Sequence, residues 1–144
     1  MKKLLGVIVL GLLWCSASYA NIIMQDLIDA LVETKKPKSI EVANNLKSTG
    51  DNDKSYDLVI RKANLNIKDA KNIATAIKKI DQNKGPQLGT ISMSFNEDLK
   101  DEGVITILNH IPLTTSVIAF VECGITDKAG QAIIDWAAKT NNLN

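Results

Sequence analysis

The sequence predicts an α/β protein: three strand–helix units with parallel strands, preceded by a helical cap. Three observations carry this expectation. Alternating apolar residues occur at Leu58 and Ile60, at Ile91 and Met93, and at Ile118 and Phe120, the period-two signature of a strand. Each run is followed by apolar residues three and four positions apart, the stripe of an amphipathic helix. A strand that returns to its sheet through a helix lies parallel to the one before it. The matching positions Leu58, Ile91 and Ile118 stand 33 and 27 residues apart.

The first 20 of the 144 residues are read as a leader, not as fold. Lys2-Lys3 is a basic start, Leu4 to Leu13 is apolar, and Ser18 and Ala20 place small residues at −3 and −1 of a cut. This pattern predicts a secretory signal peptide removed after Ala20. The apolar run is shorter than the ~20 residues that span a bilayer, so no stable membrane anchor is expected after cleavage. Cys15 follows the run, but Trp14 stands where a lipoprotein signal wants a small residue. The expected location is periplasmic or secreted.

Without Lys2 and Lys3, 15 basic groups face 16 acidic ones, too even a balance for strong attraction to nucleic acid or anionic membrane. Cys123 becomes the one cysteine of the exported chain, which excludes an internal disulfide.

Residues 22–34 carry Ile23, Leu27, Ala30 and Leu31 on one helical stripe, which ends before Pro37. A second short helix is expected from a Ser39 cap to Leu46, and then a polar loop from Ser48 to Ser55. These elements make residues 21–55 a cap and its loop, and residues 56–144 the main domain. The Lys35–Lys38 cluster is read as a solvated helix end.

In the first unit Leu58 and Ile60 are followed by Ala63 and Leu65, then by the stripe Ala70, Ile73, Ala74, Ile77 and Ile80, which Gly85-Pro86 stops. The second unit has Ile91, Met93, Asn96 and Leu99, one residue out of step after Asn96. Its helix carries Val104, Ile107, Leu108 and Ile111 and is closed by Pro112. The third has Ile118, Phe120, Cys123 and Ile125, then Ala129, Ile133, Trp136 and Ala137.

The order apolar-x-apolar-x-x-(Asn/Cys)-x-apolar leading into a helix resembles the leucine-rich repeat, in its ribonuclease-inhibitor-like form. The resemblance implies a short solenoid in which stacked units share one core and a row of strands forms a binding face. It also implies that Asn96 and Cys123 point inward and bond loop backbone groups. A compact α/β fold with parallel strands competes with this reading.

No residue pattern points to catalysis. His110 is the single histidine and sits in the last turn of a helix, where its charge suits the dipole. Asp98, Asp101 and Glu102 are read as an acidic helix start, not a calcium loop. No cofactor or metal is expected. Strand alternation instead sends a row of residues outward: Asp57, Val59 and Arg61, then Thr90, Ser92 and Ser94, then Val117, Ala119 and Val121. The strand at 117–121 is expected to be an open edge with no charge among its outward residues. The function expected is a non-enzymatic interaction module that binds a protein or peptide, or a second copy of itself, through this face or edge. The alternative is a small-ligand protein or enzyme with a pocket at the carboxyl ends of the strands, lined by Lys62, Glu97 and Glu122.

Overall fold

The computed structural model describes residues 22–47 and 53–140. The expected leader, with Cys15 and the cut after Ala20, and part of the expected polar loop lie outside these residues. Among the described residues five α-helices and a three-stranded parallel sheet make a mixed α/β fold. No helix among them is long and apolar enough to cross a membrane.

Helix α1 (Ile22–Glu33) buries Met24, Leu27, Ile28, Ala30 and Leu31, a wider stripe than the expected one. It stops at Lys35, which turns into the left-handed region at φ 57°, directly before Lys36-Pro37. Helix α2 (Pro37–Lys47) starts two residues earlier than predicted. Proline at the first helical position is pre-organised for the helix and loses no hydrogen bond there. Ser39 is therefore not a cap: it lies inside α2, fully buried with Ala43 and Leu46. The packed stripe is Ser39, Ala43 and Leu46, while Ile40 is half-buried.

Strand β1 (Ser55–Val59) leads into α3 (Ile67–Gln82), β2 (Gln87–Ser92) into α4 (Lys100–Leu108), and β3 (Val117–Ala119) into α5 (Asp127–Lys139). The sheet order is β1-β2-β3. Leu58 pairs with Ile91, and Ile91 with Ile118, so the three positions matched in the sequence lie side by side in the sheet. Helix α1 packs on α2 and α3, α3 on α4, and α4 on α5, a row that follows the strand order. Helix α2 also touches β1, at the sheet's first edge.

The core lies between the helix row and one face of the sheet. Leu58, Ile60, Leu65, Ile73, Ile91, Met93, Leu99 and Ile107 are completely buried. The extra residue after Asn96 is absorbed by a short 3-10 turn over Glu97–Leu99, which brings Leu99 back to full burial.

Burial falls off toward the last unit. Ile118, Ile125 and Ile133 are only partly buried, although the same places in the earlier units are sealed. Phe120, Cys123, Ala129 and Trp136 still pack inward.

Candidate functional site

Each strand leaves the sheet through the same turn. Lys62, Phe95 and Glu122 adopt φ of 53°, 64° and 52°, and each stands four positions after its matched strand residue. A left-handed backbone is unfavourable for residues with a Cβ, so its recurrence at three matched positions belongs to the architecture. The residue after each of them, Ala63, Asn96 or Cys123, turns inward and is buried.

Asn96 ties two of these turns together. Its Oδ1 accepts from the backbone N–H of Ala63 at 2.9 Å and of Leu65 at 3.1 Å. Its Nδ2 donates to the carbonyl oxygens of Ile60 at 2.8 Å and Met93 at 2.7 Å. Buried backbone groups must find partners, and one amide side chain with two donors and an acceptor serves four of them. Cys123 does a reduced version of this work, its thiol donating to the Met93 carbonyl at 3.2 Å. Burial pushes the thiol pKa up, against the smaller pull of the Asn96 and Phe95 backbone groups. A thiol so placed is a poor nucleophile.

The outward row is mostly where alternation puts it. Asp57, Val59 and Arg61 are exposed, Thr90 and Ser92 half-buried, Val117 and Val121 exposed, and Ala119 half-buried. Ser94 is the correction: it is 3 % exposed and does not belong to the open face. Strand β2 ends at Ser92, and the chain then bends between the neighbouring turns. The Ser94 hydroxyl accepts from the Val121 N–H at 3.2 Å, and its carbonyl accepts from the Lys62 N–H at 3.2 Å. Both neighbours close over it.

Beyond the strand ends lies a shallow depression of about 350 Å³, lined by Lys38, Arg61, Lys62 and Phe95. The Arg61 guanidinium carbon lies 5.0 Å from the centre of the Phe95 ring and the Lys62 ammonium 5.1 Å from it. Of the trio named for a pocket at this end, only Lys62 lines the depression; Glu97 and Glu122 are exposed outside it. A second depression of about 250 Å³ shares Lys38 and Arg61 and adds Glu41, Val42, Asn45 and Val59.

Three contacts escaped the linear reading. Lys36 bonds the Asp69 carboxylate and the Asn64 carbonyl, so one lysine of the supposed solvated cluster fastens the cap to the first unit. Asp69 meanwhile completes a capping box with Asn66 at the start of α3. Asp101 accepts from the Thr126 N–H at 2.8 Å and the Thr126 hydroxyl at 2.6 Å. It thereby anchors the start of α5, and the two Thr126 bonds hold its own pKa low. The Asn66-x-x-Asp69 spacing was a legible signal; the partners of Lys36 and Asp101 lie 33 and 25 residues away and were not.

His110 is half-buried, with Nδ1 2.8 Å from the Thr106 carbonyl, a bond that requires a proton on that nitrogen. Among the described residues no group of three or more His, Cys, Asp or Glu side chains is arranged to hold a metal ion. No family description matches this chain, and neither characterised proteins nor solved structures offer a match.

Proposed function

We propose that this chain is a short leucine-rich-repeat-like solenoid of three units, exported from the cell, and that it acts without enzymatic chemistry as an interaction module. Its partner is a protein or peptide, or a second copy of itself, held on the outward sheet face or along β3.

The observation that carries the reading is a face of an all-parallel sheet that nothing among the described residues covers. Parallel sheets in compact α/β proteins are ordinarily covered on both faces. Here β1 alternates exposed and buried along its length, and Val59, Val117 and Val121 stand 45 %, 51 % and 57 % exposed. Stacked repeats leave such a face open and use it for binding. The matched left-handed turns and the Asn96 and Cys123 bonds support the repeat itself.

The test captures partners from the envelope fraction with tagged residues 21–144 and repeats the capture with two face variants. Thr90→Arg and Ala119→Lys should lose the partner at an unchanged melting temperature, whereas Lys78→Glu on α3 should keep it. A partner lost with Lys78→Glu and retained by both face variants would overturn the reading.

A further inference from the structure

We propose that the paired depressions beside β1 form a binding site for an extended acidic peptide segment, one carboxylate seated on Arg61 and Lys62 and a neighbouring apolar side chain on Val42 and Val59. The inference rests on the interaction-module reading and names the chemistry of the partner.

Arg61 and Lys62 are held within about 5 Å of one aromatic ring. The negative face of the ring attracts each of them, but it also gathers two like charges into one place. Among the described residues, neither has a carboxylate within salt-bridge distance. Lys38, the third cation, is shared with Glu41 at 3.0 Å on the exposed surface of α2, a weak and replaceable pair. An incoming carboxylate would relieve the repulsion, and the guanidinium of Arg61 can receive it through two parallel hydrogen bonds.

The adjoining depression gives the rest of the recognition. It shares Arg61 and Lys38 with the first but is walled by Val42 and Val59, and Val59 is 45 % exposed. In an extended chain, residues two apart point the same way, roughly 6–7 Å from one another. An acidic residue and an apolar residue at that spacing would address the two depressions together.

A single-stranded nucleic acid could also stack a base on Phe95, but it needs a positive track for its backbone. The outward row next to Arg61 offers Asp57, Thr90, Ser92, Val117 and Ala119 instead. Three cations at one corner suit a short acidic segment.

The probe is a capped, fluorescein-labelled peptide in which Glu and Leu alternate with Ser, titrated by anisotropy against residues 21–144. A second peptide carries Gln for Glu, and a labelled oligothymidylate is the third probe. The Glu peptide should bind about tenfold more tightly than the Gln peptide, a difference expected of charge-assisted hydrogen bonds, and the preference should fade with added salt. Arg61→Gln and Lys62→Gln should each remove most of it, with circular dichroism and melting unchanged. Lys78→Gln should leave it intact. Equal binding of the two peptides, an unaltered preference in both Gln variants, or tighter binding of the oligothymidylate would overturn the proposal. A wild type without this preference, whose envelope capture still depends on Thr90 and Ala119, would sink the acidic site and leave the interaction-module reading standing.

Discussion

Asn96 is the residue on which the most backbone depends. Its side chain satisfies buried donors at Ala63 and Leu65 and buried acceptors at Ile60 and Met93; truncation takes it from all four, and the Met93 carbonyl keeps the Cys123 thiol. Each orphaned buried group costs about 1–3 kcal/mol, and local relaxation recovers part of the total. Asn96→Ala should therefore lose at least ~3 kcal/mol in urea unfolding, whereas Cys123→Ala, whose thiol makes longer bonds to the Val121 carbonyl and to a Met93 carbonyl that Asn96 also serves, should lose about 1 kcal/mol. Tyr56 makes a second residue-scale prediction. Burial raises its pKa above the ordinary 10.0, with a further push from Asp81. In the unfolded chain the phenol ionises near its usual value, and in the folded chain only well above it. The stability held by the neutral phenol is complete below pH ~10 and is lost as pH rises from there toward the folded pKa. Tyr56→Phe should thus show a shallower alkaline loss of melting temperature than the wild type above pH ~10. Equal slopes would mean that Tyr56 does not report its burial.

At the scale of elements, two glycines separate turn geometry from helix propensity. Gly124 lies at φ 65°, and a Cβ there would meet the Glu97 carbonyl oxygen at 2.3 Å. Backbone cannot step aside as a flexible side chain can, so Gly124→Ala should cost more than ~1 kcal/mol and loosen the junction between the second and third turns. Gly130 lies within α5, where an added Cβ has open space within 4 Å. Gly130→Ala should raise stability by roughly 0.5–1 kcal/mol, the helix preference of alanine over glycine. Differential scanning calorimetry on both variants reads the opposite signs directly. The same scale explains the misplaced Ser39. A Ser two residues after Pro is as good a cap as any in the linear sequence, but proline already opens α2, and the small side chain serves packing in the core instead.

For the whole molecule, the gradient of burial decides where a mutation hurts. Ile107 and Ile133 occupy equivalent stripes and read alike in the sequence, both as core. Ile107 is fully buried and Ile133 only partly, because α4 has helices on both flanks and α5, among the described elements, has one. Ile107→Ala should cost ~2–5 kcal/mol, and Ile133→Ala less than half of that, by chemical denaturation. Strand β3 is the other consequence of standing last. It pairs with β2 alone among the described strands, and its Val117 is 51 % exposed. Open, uncharged edges invite pairing with another strand. If the edge is used, sedimentation should show self-association or a partner complex that Ala119→Lys abolishes without unfolding. A strictly monomeric wild type whose partner binding survives Ala119→Lys would remove the edge from the function.

The sequence by itself determined which segments are strand and which helix, and it set the three units in register. That information is local: apolar period and the proline and glycine stops all act within a few residues. It also settled which strand residues face inward, because alternation depends only on the pleat. Only the tertiary structure decided what the ends and corners do. Ser94 is closed in by turns 32 residues before it and 27 after it, and Lys36 reaches Asp69 across 33 positions. Arg61, Lys62 and Phe95 meet because parallel strands bring successive turns to one end of the sheet. Pairings of that kind follow from register and packing between units, which no window of a few residues contains.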